Sequence, residues 1–184
     1  CSNDDEQKTQ PSDGVEAQLQ KMTLREKVGQ LFFVRPESLD PSLEWETTSD
    51  LRAHQLQEVT INMLNTNDQY PIGGIILYAW NIKDEKQLSR FITQIRELNG
   101  NPLLCIDEEG GIVSRIANNP NFDVKKYESM AAIGATLNPA NAYECGNTIG
   151  TYLKRYGFDI DFAPVADVNT NPENVVIGSR AFSD

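Results

Sequence analysis

A single histidine, His54, occurs in the 184 residues, and that scarcity removes whole classes of chemistry. A Ser-His-Asp triad or a histidine-based zinc site needs an imidazole set beside other reactive groups. His54 falls in a segment read as helical, far from any strand end, and is most simply a surface or packing residue. Basic residues are sparse as well: 16 Lys and Arg against 27 Asp and Glu leave a formal net charge of -11 and no basic stripe. Phosphate binding depends on such stripes, so the charge balance argues against a nucleic-acid partner and favours an uncharged or weakly charged one. No apolar stretch approaches the roughly 20 residues of a membrane-spanning helix. Cysteine is limited to Cys1, Cys105 and Cys145, an odd count. Cys105 lies in an apolar run and Cys145 in a helical one, so both read as small buried hydrophobes. A Cys105 to Cys145 disulfide stays open in an exported protein.

What remains is ordinary for a folded domain, with 39% hydrophobic residues and aromatics spread along the chain. Residues 1–14 differ: they are polar, punctuated by Pro11 and Gly14, and have nothing to bury, so a disordered leader is expected there. The opening Cys1-Ser2-Asn3-Asp4-Asp5-Glu6 resembles the start of a mature bacterial lipoprotein, in which lipid on the cysteine tethers the domain to a membrane. The acidic residues after it resemble a surface-export signal. That resemblance implies a cell-envelope location, periplasmic or outer-membrane. A boundary that merely falls on a cysteine would look the same.

Residues 15–184 read as one α/β unit. Val15 to Lys21 look helical, and Thr23-Leu24-Arg25-Glu26 is a capping-box pattern opening a further short helix. Gln30 to Val34 is a short apolar, aromatic-rich run suited to a buried strand. Asp50 is placed to cap a helix reaching about Leu64. Ile75 to Tyr78 forms a second strand. Asp84 to Leu98 is amphipathic, with Asp84 and Gln87 as a capping pair and Leu88, Phe91, Ile92, Ile95 and Leu98 as its apolar stripe. Leu103 to Ile106 is a third strand, followed by a long loop. Asn138-Pro139 starts a helix running to about Tyr156, and Phe158 to Val165 holds a fourth strand.

Apolar strands separated by helices mean parallel pairing with right-handed crossovers. A doubly wound sheet and a β/α barrel both fit this pattern. A (β/α)8 barrel of the TIM type needs eight strands in about 250 residues, so as a barrel the chain holds only about the first four β/α units.

In either architecture ligands sit beyond the carboxyl ends of the strands. That rule selects Asp107-Glu108-Glu109-Gly110-Gly111 with Arg115, then Asp161 and Asp167, then Arg180. Three adjacent carboxylates raise one another's pKa unless something stabilises them. Asp107 continues the strand and can point into the mouth; a solvated acidic loop is the plain structural alternative. Arg115, eight residues on, can pair with a carboxylate or donate to a ligand oxygen. Asp161 must be bonded or paired if buried, and it and Asp167 read as structural. Arg180, in Gly178-Ser179-Arg180-Ala181-Phe182, is a candidate ligand donor.

Three ordered segments carry a resemblance. Gly73 to Tyr78, Asp107-Glu108-Glu109-Gly110-Gly111-Ile112-Val113-Ser114-Arg115, and Phe162 to Val168 through Ile177 to Phe182 resemble the N-terminal domain of family 3 glycoside hydrolases. Order and spacing are most similar to the bacterial β-N-acetylhexosaminidases of that family, over roughly residues 20–184. The resemblance implies a β/α barrel whose mouth takes a terminal β-linked sugar, often N-acetylglucosamine from peptidoglycan or chitin fragments, with retention of configuration. It implies Asp107, Arg115 and Arg180 as substrate contacts, and no cofactor or metal. A carboxylate suits the first role because its hydrogen bonds to vicinal hydroxyls are charge-assisted.

Retaining hydrolysis also needs a nucleophile and an acid/base about 5 Å apart. In the family these come from a later Lys-His pair, an Asp-His dyad and an Asp nucleophile. The expectation is therefore that catalytic groups lie beyond Asp184, in the missing half of the barrel, and that residues 1–184 alone bind without cleaving. The competing readings are a non-catalytic, membrane-tethered sugar-binding protein, a β-glucosidase of the same family, and a carboxylate magnesium site.

Overall fold

The computed structural model describes residues 13–44, 54–171 and 173–183. Cys1, most of the expected leader and Asp50 lie outside them. Helix α1 (Asp13–Lys21) leads into α2 (Leu24–Gly29), which Thr23 caps reciprocally: its hydroxyl accepts from the Glu26 amide, and the Glu26 carboxylate accepts from the Thr23 amide at 2.7 Å. Strand β1 is only Phe33–Val34. The residues before it turn back on α2, with Leu31 N–H donating to the Val28 carbonyl and Phe32 N–H to that of Gly29, so their amides are spent there and only the Phe32 carbonyl reaches the β2 side, accepting from Gly73 and Gly74.

The helix expected from Asp50 to about Leu64 is corrected at its end. Gln55 to Thr60 are not helical, and helix α3 (Ile61–Gln69) starts from Thr60, whose hydroxyl accepts from the Met63 amide. That hydroxyl also donates to Asp40 at 2.7 Å, and the Val59 amide donates to the Gln94 side chain at 3.1 Å. Local propensity lost to these long-range partners.

Strand β2 (Gly74–Leu77), helix α4 (Glu85–Arg96) and strand β3 (Leu103–Ile106) fall close to where their patterns put them. Asp84 caps α4, but Gln87 does not close a box on Asp84. It accepts from the Lys83 amide and donates to the carbonyls of Gln57 and Asn81, tying α4 to two loops. Helix α5 (Met130–Gly134), capped by Ser129, sits inside what reads in the sequence as a loop. Helix α6 (Pro139–Tyr156) begins at Asn138 and ends on Gly157 in the left-handed conformation. Strand β4 is Ile160–Asp161, much shorter than Phe158 to Val165.

The strands pair in parallel in the order β1-β2-β3-β4. Doubly wound sheets reverse direction at a switch point, whereas here every strand adds to the same edge, as in a barrel. The sheet is also curled. Laid flat, β1 and β4 would be about 14 Å apart, yet the rings of Phe33 on β1 and Phe162 just past β4 meet edge-on at 6.2 Å. The chain thus forms the first four β/α units of a TIM-type barrel.

On the convex face Ile75, Leu77, Leu104 and Ile106 pack against the α4 stripe of Leu88, Phe91, Ile92 and Ile95 and against Ile149 and Leu153 of α6, all buried. Each such side chain stabilises the fold by about 1.5–3 kcal/mol. Cys105 and Cys145 are buried free thiols, so the disulfide left open above is not made. Burial, with the nearby Asp159 charge, pushes the Cys105 thiol up to about 12, which leaves it unreactive. His54 engages the Glu44 carbonyl at 3.0 Å. Among the described residues no helix is long and apolar enough to cross a membrane.

Candidate active site

The three carboxylates after β3 point to three different partners, because successive residues of an extended segment face opposite ways. Asp107 follows the register of Leu103 and Cys105 onto the concave face. There its Oδ2 accepts from Arg115 Nη2 at 2.9 Å, and both side chains keep about a fifth of their surface in solvent. The Arg115 guanidinium also lies 5.7 Å from the Tyr78 ring, and Tyr78 stacks on Trp80 at 4.7 Å. The ion pair is therefore built on an aromatic step at the end of β2.

Glu108 points the other way and is fully buried. It accepts from the backbone amides of Arg115 at 2.5 Å, Ile116 at 2.9 Å and Ala117 at 2.8 Å, and from the Tyr152 hydroxyl of α6 at 2.8 Å. A buried carboxylate with four donors is satisfied rather than reactive. It folds the segment after Gly111 back so that Arg115 returns to Asp107. Burial and the Glu108 charge push the Tyr152 hydroxyl well above its ordinary pKa, so it remains a donor.

Glu109 is also buried and holds Arg180 by two parallel bonds, Nε to Oε2 at 2.8 Å and Nη2 to Oε1 at 2.7 Å. Arg180 Nη1 donates to the Val176 carbonyl at 3.1 Å. Glu109, and beyond it the charges of Asp167 and Asp107, hold the guanidinium firmly protonated. Gly110 and Gly111 take φ of 91° and 64°, where a side chain would be strained, and an added Cβ at Gly111 would sit 2.9 Å from the Ser129 backbone. The turn therefore needs both glycines.

Asp107, Arg115 and Arg180 are thus gathered around one five-residue turn, each arginine paired with a different carboxylate. A solvated acidic loop is not what the structure contains, since Glu108 and Glu109 are buried. The three carboxylates turn to separate partners rather than toward one another. Asp161 lies behind the mouth and accepts from the Glu108 amide at 2.9 Å. Burial, followed by the charges of Glu108, Asp107 and Glu109, pushes its carboxyl up to about 7. Asp167 is exposed.

Sequence reasoning missed Glu108 as the organiser of the turn, Glu109 as the anchor of Arg180, and Tyr78 beneath Arg115. Only Tyr78 carried a readable signal, its place at the end of a buried strand.

Curled parallel strands with charged residues collected at their carboxyl ends define a β/α-barrel domain whose working face is the mouth. Comparison with known proteins gives the particular family. Residues 23–184 match the glycosyl hydrolase family 3 N-terminal domain, and the chain belongs to that family of glycosidases. It is 34% identical over 125 residues to beta-hexosaminidase A of Pseudoalteromonas piscicida, covering 63% of this chain and 20% of that protein. The family 3 beta-N-acetylglucosaminidase of Paenibacillus sp. superposes with a TM-score of 0.69 at 27% identity, over 88% of this chain and 27% of that one. NagZ of Neisseria gonorrhoeae in complex with N-trifluoroacetyl-D-glucosamine gives 0.61 at 26% identity, over 70% and 39%. The chain therefore spans about a fifth to two fifths of the length of these relatives.

Proposed function

We propose that this chain is the substrate-gripping half of a glycosidase that removes terminal β-linked N-acetylglucosamine with retention of configuration. The observation that carries the reading is the Asp107–Arg115 pair on the concave face at the end of β3. Arg115 occupies one carboxylate oxygen. The other oxygen then accepts from sugar hydroxyls, and charge-assisted bonds of this kind fix a ring strongly. Arg180, braced by Glu109, supplies a second directed donor. Similarity to hexosaminidases and to a NagZ bound to an acylated glucosamine favours an N-acetyl sugar over glucose.

In this reading residues 1–184 provide binding groups, while the nucleophile and acid/base come from elsewhere in the protein. A lipid on Cys1 would tether the enzyme at the cell envelope, where peptidoglycan or chitin fragments are the natural source of such termini. The test is hydrolysis of methyl N-acetyl-β-glucosaminide by the full-length protein, with the anomer of the first-formed sugar read by proton NMR. Release of the β-anomer supports the proposal. The α-anomer rejects retention, and preference for the β-glucoside rejects the N-acetyl assignment. Sugar binding without any turnover would favour the non-catalytic binding protein.

A further inference from the structure

Glu37 is fully buried and takes no part in the Asp107–Arg115 or Glu109–Arg180 pairs. It lies in the 3-10 turn Pro36–Leu39 that follows β1, and its Oε1 accepts from Asn81 Nδ2 at 2.6 Å and from Trp80 Nε1 at 3.2 Å. Asn81 is fully buried as well, in the turn after β2. Both turns follow strand carboxyl ends, so the Glu37–Asn81 bond ties two neighbouring segments of the rim together. Burying a carboxyl group and a carboxamide costs free energy that only well-made bonds offset. Glu37 Oε2 has no hydrogen-bond partner among the described residues, so the offset is incomplete. An apolar contact would join the two loops without that cost. What the polar pair adds is direction.

Asn81 has one geometry available to it. Nδ2 also donates to the Leu56 carbonyl at 2.8 Å, Oδ1 accepts from the Tyr78 amide at 2.9 Å, and the Asn81 amide donates back to the Tyr78 carbonyl at 2.9 Å. With its nitrogen and its oxygen both engaged, the carboxamide cannot rotate without breaking a bond. Tyr78 is therefore held at both backbone polar groups where the chain leaves β2, and its ring follows. That ring lies 5.7 Å from the Arg115 guanidinium. Arg115 has one other directed support among the described residues: Nη2 donates to Asp107, while Nε is buried without a hydrogen-bond partner. The Tyr78 ring and Asp107 thus set between them where the guanidinium points.

We propose that Asn81, oriented by Glu37, is a positioning residue for the sugar grip, fixing the Tyr78 ring beneath Arg115 and so the direction in which Arg115 and Asp107 meet substrate. The inference rests on the glycosidase reading above. Neither Asn81 nor Glu37 touches sugar; both act through Tyr78, from the loops after β1 and β2.

The full-length protein is assayed on methyl N-acetyl-β-glucosaminide as wild type, N81A, Y78L and the double variant. N81A is expected to lower kcat/KM about tenfold, the scale of one cation–π contact or of a slightly misplaced binding group. The loss should fall on KM, because a partly unfolded population lowers kcat and leaves KM alone. In the Y78L background N81A should cost nothing further, since the ring it places is gone. E37L should repeat the N81A loss, and E37Q, which keeps an oxygen for the Asn81 amide, should recover most of it. Additive losses, a loss confined to kcat, no loss, or an E37Q no better than E37L overturn the proposal. If N81A does not fold, E37L takes its place beside Y78L; if neither folds, the pair belongs to the fold alone and the positioning role is rejected. If wild type cleaves nothing, the glycosidase reading falls, and the positioning role is judged by calorimetry with N-acetylglucosamine. A loss of affinity in N81A that is absent in the Y78L background upholds it, and any other result rejects it.

Discussion

Arg180 closes on Glu109 across 71 residues of sequence through two parallel hydrogen bonds of 2.8 and 2.7 Å. The pair works beside other anchors of the same loop: Ala181 is buried, Phe182 packs against the core, and the Asn169 amide donates to the Ser183 carbonyl at 3.1 Å. The loop's one-turn 3-10 helix (Gly178–Arg180) has no buried residue. What the pair adds is the direction of the Arg180 guanidinium, which Glu109 holds at two atoms beside the mouth.

Breaking this pair should cost more than an exposed ion pair would. Glu109 is 7% exposed, so E109Q leaves a guanidinium facing a neutral amide in a largely buried setting. A loss of about 1–3 kcal/mol is expected by thermal melting. R180K should behave similarly, since an ammonium cannot make two parallel bonds. Limited proteolysis should cut both variants first within residues 167–183. Wild-type protease resistance in both would show that other contacts hold the loop.

Asp107 is the opposite case, a residue whose loss should spare the fold and damage binding. D107N keeps the shape but weakens the Arg115 contact and, on the proposed function, each hydrogen bond to sugar. Losing two charge-assisted bonds is expected to reduce kcat/KM of the full-length protein about 100-fold or more. The melting temperature should stay within a few degrees of wild type. A D107N enzyme with unaltered kinetics would remove Asp107 from the substrate site.

The third strand was legible as a short apolar run, and the two long helices because each opens on an unambiguous cap: Asp84, or Asn138 with Pro139. The barrel mouth was legible because strand-end placement is a rule of topology rather than of local propensity. The division of labour among Asp107, Glu108 and Glu109 was not. Nothing in the local sequence tells Glu108 to collect the amides of residues 115–117, or Glu109 to meet Arg180, because those partners arrive only with the folded loops. The start of α3 escaped for the same reason. Thr60 is an adequate cap by sequence, but its bond to Asp40, twenty residues away, is a partner that only the fold brings to it.

Asp161 should leave a signature in the pH dependence of stability. Burial raises its carboxyl from 3.8 to about 7, so the folded state holds a proton that the unfolded chain releases. Between about pH 4 and 7 the native state binds more protons, and stability must fall as pH rises. Its contribution is fully present below pH 4 and gone above about 7. D161N keeps an oxygen to accept from the Glu108 amide but cannot titrate, so its stability curve should lack that decline. Parallel wild-type and D161N curves in denaturant titrations across this range would show that the carboxyl is not raised.

The concave face gives the last prediction. Phe33, Leu103 and Phe162 stand on or beside it, 39, 42 and 45% exposed, and Phe32 next to β1 is 55% exposed. Strands β1 and β4 each pair on one side only among the described residues. Exposed apolar patches and unpaired strand edges are association sites. Residues 13–184 produced by themselves should therefore dimerise or aggregate, as light scattering after size exclusion would detect. F162S, which removes one of the two rings that meet across the curl, should shift the material toward monomer without disturbing the α4 core on the other face. A wild-type fragment that is monomeric at all concentrations and melts cooperatively would mean that the concave face is closed by contacts other than those described, and the open four-unit arrangement would have to be abandoned.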